Sequence, residues 1–261
     1  MDRILESISW RDAGTALLDL AMPRVCVVCL ERLALHEKYI CLNCLCDLPL
    51  TYFWERSHNP MADRFNERIQ ESLPVDSDAL EPYARAAALF FYNSESPFKR
   101  IPRHLKYENG ISSGRYFSGM LGDCLVKSPF FCDVDTVIPV PLHWTRRWKR
   151  GYNQAEVIAG AVAKAYASAG CRAEVRTDIL RRKRKTRTQT KVSVEEKSAN
   201  VEGAFALCPK GASSLREAHH ILLVDDTFTT GATLNCCRSV LREALGPEIR
   251  ISVATLAFVN S

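Results

Sequence analysis

Short apolar runs, each closed by glycine, proline or charge, alternate along this chain with longer stretches whose apolar residues recur every three or four positions. The runs predict strands at Ala86 to Tyr92, Thr136 to Val140, Glu174 to Leu180, Ala204 to Leu207, Ile221 to Val224 and Ile249 to Val259. The periodic stretches predict helices at Gly114 to Val126, Asn153 to Ser168 and Ala232 to Leu245, the last stopped by Gly246-Pro247. In the middle one Val157, Ile158, Ala161, Val162 and Ala165 share a face. Strands alternating with helices predict an α/β fold, a mostly parallel sheet with helices on both faces.

The pattern changes before Pro82. Ile4 to Met22 reads as a helix, with Ile4, Leu5, Ile8, Leu17, Leu18 and Leu20 as apolar positions, followed by Pro23 and a cysteine-rich stretch from Cys26 to Cys46. Glu55 to Glu81 is polar and holds Pro60 and Pro74, so it reads as a connector with one short helix. The expected organisation is therefore an N-terminal helix and cysteine module over 1–54, a connector over 55–81 and an α/β domain over 82–261.

Composition narrows the class. Of 261 residues 47% are hydrophobic and 25% charged, which is a globular balance and not a disordered one. No stretch reaches the roughly 20 apolar residues of a membrane helix, so no membrane insertion is expected. The first residues lack a basic leader and a small-residue cleavage site, which makes the cytoplasm the expected compartment. Eleven cysteines is an odd number and does not suit a disulfide framework.

Four of those cysteines have another explanation. Cys26-x-x-Cys29 and Cys41-x-x-Cys44 are spaced as in a zinc ribbon, where two tight turns each offer two thiolates to one tetrahedral ion. Cys46 falls out of step. Four thiolates leave no open position, so the expected Zn²⁺ is structural.

The second candidate site follows the apolar strand Ile221 to Val224. Asp225 and Asp226 come at its carboxyl end, where open α/β sheets bind ligands, and Thr227-Phe228-Thr229-Thr230-Gly231-Ala232-Thr233 turns into the next helix. Threonine hydroxyls and amides at a helix N-terminus suit a phosphate monoester, and Gly231 is expected to admit its close approach. Two carboxylates beside a phosphate cradle suit a ligand that also presents hydroxyls or a divalent cation, as a ribose 5-phosphate does. A receiver domain would need more chain after Asp226, and no Walker-type Gly-x-x-x-x-Gly-Lys motif is present.

The segment from Val224 to Thr233 resembles the motif that binds 5-phosphoribosyl-1-pyrophosphate (PRPP) in type I phosphoribosyltransferases. Further segments narrow the resemblance to the ComF family of competence-associated proteins. They are His104-Leu105-Lys106-Tyr107, Pro139-Val140-Pro141-Leu142, Arg150-Gly151-Tyr152-Asn153-Gln154, Thr186-x-x-Gln189 and Asn200-Val201-x-Gly203-Ala204-Phe205. The resemblance implies a type I phosphoribosyltransferase fold carrying a small zinc ribbon, with Mg²⁺-PRPP as ligand. It implies that the catalytic pair Asp225 and Asp226 holds the ribose hydroxyls. Thr227, Thr229, Thr230, Gly231 and Thr233 would hold the 5-phosphate, and the turn after Val140, with Arg150, the pyrophosphate. Lys197 stands where the family pattern suggests arginine, so it lacks the bidentate fork. The implied activity is transfer of ribosyl phosphate to a nitrogen nucleophile in DNA uptake or utilisation. The alternative is a non-catalytic PRPP sensor or scaffold that engages single-stranded DNA and DNA-uptake proteins. His104 and His143 are the candidate acceptor bases, with a structural role as the commoner alternative for a lone histidine.

Two basic clusters remain. Trp144 to Arg150 interleaves two tryptophans with four cations, a pattern that suits stacking on single-stranded nucleic acid or, equally, tryptophans packed inside with cations outside. Arg181 to Lys191 holds seven cations. In it Arg184, Lys185 and Arg187 suit first a lid over pyrophosphate and then contacts to a DNA backbone, with a solvated charge run as the remaining alternative.

Overall fold

The computed structural model describes residues 23–73, 81–107, 110–183, 203–209, 211–215 and 217–259. Five of its strands form one parallel sheet: β1 (Ala86–Tyr92), β2 (Thr136–Pro139), β3 (Glu174–Val175), β6 (His220–Phe228) and β7 (Arg250–Val259), in the order β1-β7-β6-β2-β3. The short strands β4 (Leu180–Arg182) and β5 (Phe205–Leu207) pair antiparallel apart from it. Ile221, Leu222, Leu223 and Val224 of β6 are all fully buried. A central parallel strand is covered on both faces, which is why this one reads as an unbroken apolar run.

The described helices are α1 (Leu42–Cys46), α2 (Pro60–Glu71), α3 (Arg100–Tyr107), α4 (Ile111–Val126), α5 (Trp144–Arg150), α6 (Gln154–Ser168) and α7 (Ala232–Leu245). Helices α4 and α6 pack on each other and on the sheet. Their approach is close enough that a Cβ on Gly122 would sit 2.7 Å from the Ala165 Cβ. Helices α2 and α7 form a second pair, tied by Asn235 Nδ2 donating to Arg68 O (3.3 Å) and Ser72 Oγ (3.1 Å). The parallel α/β architecture expected from the alternation is what the chain forms.

Three local expectations change. The single strand expected from Glu174 to Leu180 is broken, with β3 in the main sheet and β4 in the small one; Arg176 and Asp178 pair at 2.9 Å beside the bend between them. Strand β6 does not stop at Val224 but continues to Phe228, pairing Asp225 with Thr255 and Thr227 with Ala257 of β7. The polar stretch read as a connector with one short helix does hold a helix, α2, and that helix is built into the core. Asn59 caps it, its Oδ1 accepting from Met61 N (3.1 Å) and Ala62 N (2.9 Å), with Pro60 at the first helical position. Met61, Phe65 and Ile69, four apart, put one narrow apolar stripe inside a stretch that is polar on average. Phe65 meets the Phe228 ring at 6.2 Å.

The cysteine module is tied to the sheet by its last residues. Phe91 N donates to Pro49 O (2.8 Å) and Thr51 N to Leu89 O (3.1 Å), so residues 49–51 lie along β1. Arg100 Nη1 donates to Val28 O (2.5 Å). The helix expected from Ile4 to Met22 lies outside the described residues. Among the described residues no helix is long and apolar enough to cross a membrane.

Candidate functional site

Cys26, Cys29, Cys41 and Cys44 converge, their four Sγ atoms within 4.8 Å of one another. Cys29 Sγ and Cys41 Sγ stand 3.7 Å apart. A tetrahedron with Zn–S bonds of about 2.3 Å has an edge of roughly 3.8 Å, so the spacing fits that ion. Val28 N and Cys41 N each donate to Cys26 Sγ at 3.4 Å. Burial opposes a thiolate at Cys26, but the amides of Cys29, Cys41 and Val28 outweigh it and bring the pKa to about 7. All four donors are soft sulfurs, as zinc prefers. The cluster could hold a metal ion, and Cys46 lies outside it.

The carboxyl edge of the sheet holds the second cluster. Because β6 runs on through Phe228, Asp225 and Asp226 occupy successive strand positions, which point to opposite faces. They are therefore not an equivalent pair. Asp226 is buried and accepts from Lys106 Nζ of α3 at 2.9 Å. Asp225 accepts from Asp226 N (2.8 Å) and feels Arg182 of β4. Burial, and then the neighbouring Asp226 charge, raise the Asp225 pKa to about 7. Burial also works against the Lys106 ammonium, yet Asp226 holds its pKa above the usual lysine value, with Asp225 contributing and Arg150 opposing.

Cations crowd this edge. The Arg150 guanidinium lies 5.2 Å over the Tyr107 ring, and its Nη1 donates to Gln154 Oε1 at 3.0 Å. Burial and the Arg150 charge lower the Arg146 pKa, and burial and the Arg146 charge lower that of Arg182. Cations that disfavour one another would be relieved by an anion. Two buried atoms here, Thr227 Oγ1 and Gln154 Nε2, have no hydrogen-bond partner among the described residues. Such orphans cost about 1–3 kcal/mol each, and a polar ligand would satisfy them.

The turn into α7 has Gly231 at φ +73°, and Thr230 Oγ1 accepts from Ala232 N at 3.4 Å. A Cβ on Gly231 would lie 2.8 Å from the Phe228 ring and 3.2 Å from the Phe65 ring. The glycine is thus demanded by a left-handed backbone and by the rings beneath it.

Comparison with known proteins agrees with the segments quoted above. Competence protein F of Haemophilus influenzae is 34% identical over 119 residues, covering 45% of this chain and 48% of that protein, so the match spans about half its length. The DNA utilization protein YhgH of Escherichia coli O6:H1 is 31% identical over 213 residues, 80% of each chain. The chain belongs to the ComF family. The YhgH protein of Escherichia coli K12 is 28% identical over 82% of this chain and 89% of its own. No family model matches the chain. A solved structure of the allosteric regulatory enzyme of purine biosynthesis aligns with 58% of this chain and 30% of its own, at 20% identity and a TM-score of 0.35. A likeness that loose carries no argument.

Several ComF segments meet at the carboxyl edge of the sheet. Val140 N donates to Val224 O (2.9 Å) and Asn153 Nδ2 to Val140 O (3.0 Å), which brings the turn after β2 and the start of α6 beside β6. Lys106, Arg146 and Arg182 join them, each from a segment quoted from the sequence but none named there as a site residue. Lys106 did carry a signal, its place in the His104-Leu105-Lys106-Tyr107 segment. The two histidines considered as bases have structural partners: His104 Nδ1 is 3.0 Å from Ser113 Oγ, and His143 caps α5, its Nδ1 2.8 Å from Thr145 Oγ1. Arg184, Lys185 and Arg187, with Thr186, Gln189, Lys197 and Asn200, lie outside the described residues.

Proposed function

We propose that this ComF protein binds Mg²⁺-PRPP at the carboxyl edge of its sheet and transfers the ribosyl phosphate to a nitrogen nucleophile during DNA uptake or utilisation, in the cytoplasm. The observation that carries this reading is the run of Asp225 and Asp226 into the Thr229-Thr230-Gly231 turn, faced by Lys106, Arg146, Arg150 and Arg182. In it the two carboxylates, which both act on Lys106 although they start from opposite faces of the strand, accept from the vicinal ribose hydroxyls. Asp226 retains acceptor capacity beside Lys106, since a carboxylate offers about four lone-pair sites. The hydroxyls of Thr227, Thr229, Thr230 and Thr233 and the amides at the α7 N-terminus take the 5-phosphate. Arg150, with Arg146 and Arg182, meets the pyrophosphate.

Oxygen donors at Asp225 and Asp226 suit a hard divalent cation, whose charge would neutralise the phosphates when bound. The bond from C1 of the ribose to pyrophosphate oxygen breaks as the bond to nitrogen forms, and the nucleophile loses a proton. Negative charge grows on the leaving group, where preorganised guanidinium donors stabilise it most. Calorimetric titration with Mg²⁺-PRPP tests the reading, and release of pyrophosphate in the presence of pooled nucleobases tests turnover.

A second reading, contact with single-stranded DNA, is favoured by α5. Trp144 and Trp148 are 72% and 88% exposed, so they do not pack into the described body. They lie four residues apart on a helix with Arg147 and Lys149, and exposed aromatic faces beside cations suit unpaired bases.

A further inference from the structure

At the other end of the sheet, roughly 20 Å along β6 from Asp226 at about 3.3 Å per residue, lies a partly open cavity of about 210 Å³. His220 and Ser252, at the starts of β6 and β7, form its floor, and Arg85, Arg242 and Arg250 stand in its wall. His220 Nδ1 is 2.7 Å from Asp133 Oδ1, and His220 Nε2 is 2.8 Å from Ser252 Oγ. His220 is 1% and Ser252 2% exposed.

An Asp-His-Ser relay invites comparison with a hydrolase, but the surroundings argue against one. Ser252 sits within a parallel strand, and the amide that follows it, Val253 N, already donates to Arg85 O at 2.9 Å. The amide that would stabilise an oxyanion is therefore committed to the chain. The surroundings instead carry a surplus of cations. The Arg85 guanidinium is held 5.3 Å from the Tyr83 ring and 4.9 Å from the Phe130 ring. Among the described residues its side-chain hydrogen bond is from Nη1 to Ser57 O, and none of them takes a bond from Nε or Nη2. Arg242 Nε lies 3.1 Å from Glu81 Oε2, and Arg250 pairs with Asp133.

We propose that this cavity is a second, small-anion site that takes the phosphate group of a phosphate monoester or free phosphate. Arg85 is its principal donor, prepositioned between two rings, with Arg242 and Arg250 supplying charge. A planar fork that has spare donors and is fixed by packing is well suited to phosphate oxygens. The floor can join in. Asp133 fixes a proton on His220 Nδ1, so the Ser252 hydroxyl donates a hydrogen bond to Nε2 of neutral His220. A proton gained at Nε2 would instead turn that hydroxyl outward as a donor. This site is separate from the proposed PRPP site in position and in residues.

The test follows His220 directly, by NMR of protein labelled with ¹⁵N at its histidine rings, during titration at constant ionic strength. Inorganic phosphate and glycerol 3-phosphate serve as probes, and their relative affinities tell free phosphate from a monoester. Saturable movement of the His220 ring signals is expected, with the curve shifted roughly tenfold or more to higher concentration in Arg85→Gln. Arg250→Gln, at a side chain 56% exposed, gives a second weakened variant if Arg85→Gln does not fold. The Asp225→Ala/Asp226→Ala variant should keep the response, whatever becomes of PRPP binding. His220 signals that stay fixed with both probes, or that move identically in the arginine variants, would overturn the proposal.

Discussion

Replacing Lys106 with methionine isolates the contact on which the carboxyl edge depends. The methionine keeps most of the apolar stem and removes the ammonium 2.9 Å from Asp226. The two side chains are 27% and 12% exposed, so the pair is neither a surface pair worth about 0.2–1 kcal/mol nor a fully buried one whose breaking costs about 3–5 kcal/mol. An intermediate loss of about 2 kcal/mol is expected, and it should come from stranding Asp226 next to Asp225. Adding Asp226→Asn removes the stranded charge, so Lys106→Met/Asp226→Asn should be more stable than the sum of the single changes implies. Urea unfolding of the four proteins at neutral pH, with the zinc module left loaded, gives the coupling energy. A value near 2 kcal/mol supports the pairing. Single-variant losses that add to within about 0.5 kcal/mol would show that Lys106 does not hold Asp226 and would refute the reasoning.

The cysteine cluster predicts one zinc per chain by elemental analysis of protein purified without chelator, reduced in Cys29→Ser; a metal-free wild-type protein would contradict it. Gly231→Ala combines a left-handed residue with a Cβ 2.8 Å from the Phe228 ring, so a loss of about 2–4 kcal/mol is expected, seen as a Tm lower by roughly 10 °C. An unchanged Tm would mean that the turn is not built as described. Trp144→Ala with Trp148→Ala should leave stability within about 0.5 kcal/mol while weakening single-stranded DNA binding by about 1–3 kcal/mol per lost stack. Fluorescence titration that finds the wild type unable to bind such DNA would remove this role.

Much of this architecture was legible because it is written in local pattern. The bounds of α7 follow from its periodicity and its Gly-Pro stop, and the cysteine spacing brings four sulfurs together because each Cys-x-x-Cys turn is self-contained. What the sequence concealed depends on distant partners. Nothing local tells β6 to continue through two aspartates; pairing with β7 does so, and it separates the carboxylates onto opposite faces. Lys106, Arg146 and Arg182 lie on three different elements and meet only once the sheet is assembled. A short helix was expected where α2 lies, but its place in the core was not, because the stripe of Met61, Phe65 and Ile69 is diluted by the charged residues between them. The glycine of the motif was recognised, and the structure adds two rings beneath it as a further reason, one of them on α2.

The central claim is that Asp225 and Asp226 belong to a PRPP site. Isothermal titration of the wild type and of Asp225→Ala/Asp226→Ala with PRPP, both with Mg²⁺, tests it most directly, with inorganic phosphate as the control ligand. The account predicts saturable PRPP binding by the wild type that weakens far more than phosphate binding in the variant, because the ribose hydroxyls lose their acceptors while the threonine turn remains. Absence of PRPP binding by the wild-type protein, or equal affinity in the two proteins, would contradict it.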